Sequence, residues 1–178
     1  MYPQLEPDLF RAASAHGITP LQAQLLHNRG CDSIEKMQRF LSADYSTTLD
    51  PLRIIDMPKA VERVLQALHN KEHITVYGDY DADGVTSSSL LFRALRKLKH
   101  DDARLDYHIP HRQKDGCGLN LAALDLLKAR GTQLIITTDC ASSDVAQVYY
   151  AQETLGIDVI ITDHHHPPAE IPPAYAMV

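Results

Sequence analysis

The segment GDYDADGVTSS, residues 78–88, carries three carboxylates at alternate positions. Asp79, Asp81 and Asp83 lie so close along the chain that we expect the repulsion between their charges to oppose folding unless a cation lies among them. The residue types and their spacing therefore predict a divalent-cation site. A single motif of this kind is also typical of a solvated turn, so the interpretation depends on the rest of the chain.

Further candidate ligands follow two other apolar segments. Asp139 ends LIITTD, and Asp163 ends VIITD and is followed at once by His164 and His165. Because ligands bind at the carboxyl ends of the strands in open parallel sheets, we expect these side chains to converge with the first three aspartates. His166, the third consecutive histidine, is interpreted as a loop residue.

Carboxylates together with imidazoles are ligands that suit a first-row divalent cation. Oxygen ligands favour Mg²⁺ or Mn²⁺, and histidines shift the preference towards Mn²⁺. So many carboxylates predict two ions, a pair that suits in-line displacement at phosphorus. Taken singly, Asp139 and Asp163 are equally explained as N-caps of following helices, and the three histidines as a surface loop. The coincidence of all of them at strand ends favours the metal site.

The elements that must position these residues alternate after residue 70. Residues 1–70 are predicted to form a small helical lead-in, and residues 71–178 to alternate strands with helices. This order predicts an α/β fold, a parallel sheet with helices on both faces. Three helix caps are predicted in the lead-in: Thr19, then Asp32 or Ser33, then Asp56.

Composition bounds the class of protein. The 178 residues are 44% hydrophobic and 22% charged, as in ordinary globular domains, and we see neither a signal peptide nor an apolar run long enough to span a bilayer. Three widely spaced cysteines predict reduced thiols and a cytoplasmic protein. The net charge of −6 argues against nucleic-acid binding, although bound metal would neutralise part of it.

The segments VYGDYDADGVTSSSLL, ITTDCASSD and VIITDHHHPPAEIPPAYAMV resemble the first three motifs of the DHH phosphoesterase superfamily. The segments RGCDSIEKMQRFL, LDPLRIIDMPKAVERV and IPHRQKDGCGLN are similar to the helical lead-in and first inter-motif loop of its RecJ branch, whose members are single-strand-specific DNA exonucleases. The resemblance covers most of the chain from about residue 29 onward.

The resemblance implies a role for each matching residue. Asp79, Asp81 and Asp83 match first-motif carboxylates, with Asp81 and Asp83 reaching different ions, and Asp139 matches an aspartate that bridges the ions. His164 matches a metal-ligating histidine. Asp163 and His165 match neighbours expected to orient His164 and to contact the scissile phosphate. Candidate phosphate contacts are Arg112, Ser87 and Ser88, the serines through amides at the start of a helix. Arg112 is equally explained as a solvent-exposed arginine, and the serines as helix caps.

The chain also departs from the family pattern. Ala141 stands where glycine is usual, which predicts a different local backbone if that position needs a positive φ. Cys117 replaces an aromatic residue, which would remove a stacking platform for a base. The fourth motif, with a further aspartate ligand, and the accessory nucleic-acid-binding domains are absent from these 178 residues. We therefore expect a piece of a longer protein that is feeble as a nuclease by itself.

The predicted function is 5′→3′ hydrolysis of single-stranded DNA with two Mn²⁺ or Mg²⁺ ions, in DNA repair or recombination, with little sequence preference. The direction of digestion and the choice of DNA over RNA rest on the resemblance alone. One alternative is a DHH phosphodiesterase that acts on short oligoribonucleotides or cyclic dinucleotides. A second is a non-catalytic RecJ-like scaffold of a replication complex. Retention of the acids in all three motifs, and of the histidines in the third, argues against the second.

Overall fold

The computed structural model describes residues 6–99, 102–166 and 168–178. Contacts divide the chain into two compact units, which separate between Asp50 and Pro51. The last helix of the predicted lead-in falls in the second unit, so the sheet-containing unit begins earlier than residue 70. No helix of the described ranges has the length and apolar character needed to cross a bilayer.

The first unit is a small group of three helices: α1 (Pro7–Ala15), α2 (Pro20–His27) and α3 (Ile34–Ser42). Thr19 caps α2 in a capping box with Gln22, as its position before Pro20 predicts. Ser33 caps α3, whereas Asp32 forms an ion pair with Lys36. These helices bury a core of their own, formed by Ala13, Ile18, Ala23, Leu26, Cys31 and Met37.

The second unit alternates strands with helices in the predicted order. After one short 3₁₀ turn, Pro51–Arg53, the helices and strands are α4 (Met57–His69), β1 (Ile74–Gly78), α5 (Ala82–Leu98), β2 (Leu105–His108), α6 (Leu121–Ala129), β3 (Leu134–Thr138), α7 (Val145–Tyr149), β4 (Asp158–Thr162) and β5 (Ala176–Met177). The last turns of α7 continue as a π-helical segment, Tyr150–Thr154.

The five strands form one parallel sheet in the order β2-β1-β3-β4-β5. β1, β3 and β4 lie side by side, and the central register pairs Gly78 with Thr138 and Thr138 with Thr162. The three strands therefore end level with one another. The chain leaves β1 towards β2 and leaves β3 towards β4, in opposite directions across the sheet, so the carboxyl ends of β1 and β3 form a topological switch point.

Alternate side chains of the buried strands enter two separate cores. Val76, Ile136 and Ile160 pack in the core that also contains residues of α4 and α5. Tyr77, Ile135 and Ile161 pack in the core that contains residues of α6 and α7. Because successive side chains of a strand point to opposite faces, these two cores lie on opposite sides of the sheet. The predicted fold class, a parallel sheet covered by helices on both faces, is confirmed.

Asp56 does not cap α4 through its side chain as predicted. Its backbone has a φ of 59°, and no capping hydrogen bond is formed. Instead, Asp56 Oδ2 accepts a hydrogen bond from the Met177 amide, 3.2 Å away. The side chain thus binds an amide of the short strand β5, a long-range partner that local helix signals do not reveal.

A buried arginine joins α4 to the amino-terminal edge of the sheet. Arg63 donates to Glu72 and to Asp158, each over 2.6 Å, and only 8% of its side chain is exposed. Removing one partner of a buried charge network leaves the other charges without compensation. We expect Arg63→Gln to lower the free energy of unfolding by about 2 kcal/mol, since the part-exposed Asp158 can regain water.

Urea denaturation followed by circular dichroism would measure this loss. Lys71→Gln is the matched control, because Lys71 forms a solvent-exposed ion pair with Asp102. Its effect should stay within about 0.5 kcal/mol. Equal effects of the two substitutions would show that Arg63 contributes no more than a surface ion pair.

Candidate metal centre

The carboxyl ends of β1, β3 and β4 bring the predicted ligands together. Asp79, Asp81 and Asp139 offer ligand atoms that all lie within 4.8 Å of one another, and Asp139, His164 and His165 form a second such group. Asp139 belongs to both groups. The level ends of the parallel strands explain this convergence, because each ligand follows its strand within a few residues.

Asp79 and Asp81 are positioned by the turn between β1 and α5. Asp79 is buried, and its Oδ1 accepts a hydrogen bond from the Tyr80 amide over 2.7 Å. Asp81 caps α5: its Oδ1 accepts from the amides of Asp83 and Gly84, over 2.9 and 3.0 Å. These amides, that of Gly84 above all, lower the pKa of Asp81. Both donate to the same oxygen, so Asp81 Oδ2 is not used in capping the helix.

Asp139 lies in a strained turn that a backbone hydrogen bond holds against β4. Its backbone has a φ of 62°, which aspartate tolerates better than most residues. Its amide donates to the Thr162 carbonyl over 2.9 Å, which ties the turn to β4. The side chain is held where two strands end, a common location for strain at functional sites.

The Asp139 carboxylate lacks a hydrogen-bond partner on one oxygen. Asp139 Oδ1 is buried and accepts no hydrogen bond, although His164 Nε2 lies 3.0 Å away. Burial, together with the nearby charge of Asp81, raises the pKa of Asp139. A buried, crowded carboxylate with an unsatisfied oxygen costs free energy in the protein by itself. A divalent cation would supply the missing positive charge, so this donor set fits a hard or borderline metal ion.

Asp163 holds His165 rather than His164. Asp163 Oδ1 lies 2.7 Å from His165 Nδ1, and Oδ2 accepts from the Ser142 amide over 3.1 Å. Burial would raise the pKa of Asp163, but the hydrogen bonds from Ser142 and His165 outweigh it and the pKa is lowered. The same contact with Asp163 raises the pKa of His165. The expected orienting of His164 falls instead to Asp139, which His164 contacts directly.

Of the remaining predicted residues, Asp83 and Ser87 border the site, and Arg112 lies near the turn that carries Asp79 and Asp81. Asp83 and Ser87 line a cleft of about 310 Å³ together with Asp139, Asp163 and His164. Asp83 belongs to neither ligand group found among the described residues. Arg112 is exposed, and its guanidinium carbon lies 5.3 Å from the centroid of the Tyr80 ring. Tyr80 stands between Asp79 and Asp81 in the chain.

The serines do not present amides to a phosphate as predicted. α5 begins at Ala82, and the Val85 amide already donates to the Asp81 carbonyl, so the amides of Ser87 and Ser88 lie inside the helix ladder. Ser88 is buried, and its hydroxyl bonds that of Thr138 over 2.7 Å, which attaches α5 to β3. The sequence interpretation placed the start of the helix too late. Only the Ser87 side chain borders the cleft.

Ala141 has a positive φ, the backbone conformation that glycine adopts without strain. Its φ is 81°, and the residue is buried in the core beside α7. Alanine takes the left-handed conformation here, which glycine adopts more readily, at a cost of about 1–2 kcal/mol. The Ser142 amide, which donates to Asp163, holds the turn in place.

A contact between Cys117 and Asp79 was not predicted. Cys117 Sγ donates to Asp79 Oδ2 over 3.4 Å. Burial and this hydrogen bond raise the pKa of the thiol to about 11, so the free side chain is protonated at neutral pH. The sequence places Cys117 in the loop between the first two motifs, but it does not show that this loop brings the thiol into contact with Asp79.

Comparison with known proteins identifies the family. The model of the "DHH family, N-terminal domain" matches residues 73–178, which include every predicted ligand. The chain belongs to the DHH family. RecJ, the single-stranded-DNA-specific exonuclease, is 45% identical in Bacillus subtilis and 38% identical in Escherichia coli, each over 90% of this chain. The resemblance predicted from the sequence, including the RecJ branch, is confirmed.

Solved structures of RecJ share the fold of this DHH-family chain. A crystal structure of exonuclease RecJ bound to manganese matches 72% of the chain with a TM-score of 0.64 and 32% identity. RecJ from Thermus thermophilus in complex with Mn²⁺ matches 98% with a TM-score of 0.69 and 26% identity. The chain spans 20% of the Bacillus subtilis relative and 27% of the Escherichia coli relative.

Proposed function

We propose that the chain forms the metal-binding part of a single-stranded-DNA-specific exonuclease that hydrolyses phosphodiester bonds in the 5′→3′ direction with two Mn²⁺ or Mg²⁺ ions. The observation that carries the proposal is the position of Asp139, which belongs both to the group with Asp79 and Asp81 and to the group with His164 and His165. A carboxylate shared by two ligand sets is the arrangement expected for a bridging ligand. The names of the RecJ relatives, single-stranded-DNA-specific exonucleases, support the substrate, and the manganese in a RecJ structure supports the metal.

In this proposal Asp79, Asp81, Asp139 and His164 hold the cations, and Asp83 reaches one of them from the cleft wall. Bound cations would supply charge neutralisation at the phosphate and would lower the pKa of a water. His165 also lies in the second group, but in this proposal Asp139 and His164 hold the ion there, while the exposed His165, held by Asp163, would donate a hydrogen bond to a phosphate oxygen. Asp163 acts through His165 as a positioning residue.

Arg112 is proposed to contact a phosphate of the incoming strand. The Arg112 guanidinium lies over the Tyr80 ring, within reach of a cation–π interaction, and its exposed donors would suit a bidentate contact with a phosphate. Ser87 would border the same path through its side chain. Contacts of this kind read the backbone and carry no sequence information, so sequence preference should be weak.

Direct measurements separate this proposal from its alternatives. Calorimetry with Mn²⁺ should give two bound ions per chain. Digestion of 5′-labelled and 3′-labelled single-stranded DNA, with protein in excess because turnover is expected to be slow, should release the 5′ label first. Turnover of a dinucleotide or cyclic dinucleotide alone would replace the exonuclease by a small-substrate phosphodiesterase. Absence of Mn²⁺ binding would favour the scaffold.

A further inference from the structure

A cleft lies between α5 and β2, the strand at one edge of the sheet. Its volume is about 410 Å³, within the range of small-molecule sites, and its lining includes Phe92 and Arg93 of α5 and Tyr107 of β2. The Phe92 and Tyr107 rings meet edge to face, with centroids 5.6 Å apart. Phe92 packs against the core, whereas 62% of Tyr107 is exposed. An aromatic surface is thus held in place by a buried neighbour and left open to a flat ligand.

The cleft adjoins the turn that carries the metal ligands. Ser88 and Ile109 also line it. A Cβ on Gly78 would collide with the Ser88 hydroxyl and would lie 3.0 Å from Ile109 Cδ1, so both side chains rest on the backbone at the end of β1. The next residue of the chain is Asp79, a ligand of the candidate centre. A molecule in the cleft would therefore lie beside a phosphate held at the metal centre.

Arg93, at the wall of the cleft, begins a row of positive charges along α5. Arg96 and Lys97 follow three and four residues later, which places them on the same side of the helix. All three are exposed, and within the described ranges none of them forms a salt bridge. The net charge of −6 therefore conceals a local basic surface next to the aromatic cleft. Repeated positive charges of this kind suit the repeated phosphates of a nucleic acid.

We propose that this cleft binds one unstacked nucleobase of the single strand whose phosphate lies at the metal centre, with Tyr107 as the stacking surface and Arg93 as a contact to a neighbouring phosphate. The inference rests on the proposed function and deepens it. Stacking accepts every base, because every base has a π-face, so it adds affinity without sequence preference. It also requires the base to be free of a partner strand. The cleft thus supplies a reason for selecting single strands over duplexes.

Fluorescence anisotropy with a labelled oligothymidylate of about 12 nucleotides would measure this contact. Phosphorothioate linkages would slow hydrolysis, and Mn²⁺ would be present throughout. Tyr107→Ala is expected to weaken binding by about tenfold, the loss of one stacked base. Tyr149→Ala is the matched control, because Tyr149 is 58% exposed on α7, which packs on the opposite face of the sheet. Its affinity should stay near that of the wild type.

Two further measurements separate the base contact from the phosphate contact. An abasic nucleotide placed at each position in turn should weaken wild-type binding by about tenfold at one position and should have no further effect there in Tyr107→Ala. Arg93→Gln should reduce the slope of log affinity against log salt concentration by about 0.7, the value for one phosphate contact to a single strand. Lys128→Gln, on α6, makes the same change of charge and should leave the slope unchanged.

The outcomes distinguish the inference from the function on which it rests. Equal affinity of Tyr107→Ala and the wild type, or abasic losses that are the same in both, would overturn the inference alone. Failure of the wild type to bind the strand in the presence of Mn²⁺ would overturn the proposed function. If circular dichroism shows that Tyr107→Ala is misfolded, Tyr107→Leu, which keeps an apolar side chain beside Phe92 but lacks the ring, replaces it under the same criteria.

Discussion

Asp139→Asn is expected to abolish hydrolysis and to weaken Mn²⁺ binding by more than about 100-fold, a loss at least as large as that caused by removing an outer-shell partner. Asp139 contributes to both ligand groups, so its neutralisation damages both at once. Asparagine keeps the shape of the side chain and removes the charge. Calorimetry with Mn²⁺ and digestion of labelled single-stranded DNA would measure the two losses.

The same substitution should not unfold the metal-free protein. Burial and Asp81 raise the pKa of Asp139, which means that the folded state favours its neutral form. Without metal, Asp139→Asn should therefore melt at the same temperature as the wild type or higher. Mn²⁺ should raise the melting temperature of the wild type through mass action and leave that of the variant unchanged.

Asp125→Asn is the matched control for the change in charge. Asp125 is exposed on α6 and accepts a hydrogen bond from the Tyr150 hydroxyl, outside both ligand groups. It should retain Mn²⁺ affinity and hydrolysis. Near-normal turnover by Asp139→Asn would show that Asp139 is not a ligand of the proposed centre. Equal losses of Mn²⁺ affinity and hydrolysis in both variants would show that the effect comes from net charge alone.

Gly84→Ala is expected to lower the free energy of unfolding by about 3 kcal/mol and to weaken Mn²⁺ binding as well. A Cβ on Gly84 would lie 2.4 Å from the Asp79 carbonyl oxygen and 2.6 Å from the Asp79 Cα. These are backbone atoms, so α5 and the end of β1 must move apart. That movement displaces Asp79 and Asp81, which flank the contact.

The expected sign opposes intrinsic helix propensity, which sharpens the test. In an exposed helix interior, alanine is favoured over glycine by about 1 kcal/mol. Gly156→Ala provides the comparison, since Gly156 has a φ of 61° but a Cβ there would meet open space. That variant should cost about 1 kcal/mol from backbone strain and leave Mn²⁺ binding unchanged. A Gly84→Ala protein as stable as the wild type would mean that α5 does not rest on the β1 backbone.

The order of elements was readable because its signals are local. Thr19 followed by Pro20 predicted the start of α2, and the apolar segments LIITT and DVIIT predicted β3 and β4. Strands that alternate with helices have few ways to pack, so the parallel sheet followed from the order. Aspartates after three such strands then had to meet at one edge.

Side-chain pairing within the site was not readable in the same way. The resemblance assigned Asp163 to His164, whereas Asp163 contacts His165 and His164 contacts Asp139. Asp56 similarly exchanged a local cap for a bond to Met177. Asp56 and Met177 are 121 residues apart, so their hydrogen bond depends on how the strands pack in the folded protein. The partners of His164 and His165 depend on the side-chain rotamers within one turn.

The sequence by itself determined the fold class, the edge of the sheet at which the acids gather and the kind of metal that they suit, because periodicity and residue chemistry are properties of short segments. Only the tertiary structure decided that Asp139 joins two ligand groups, that Ser88 is a buried link between α5 and β3, and that Cys117 touches Asp79. Those facts depend on distances of a few ångströms between distant segments, which the packing of helices against the sheet sets.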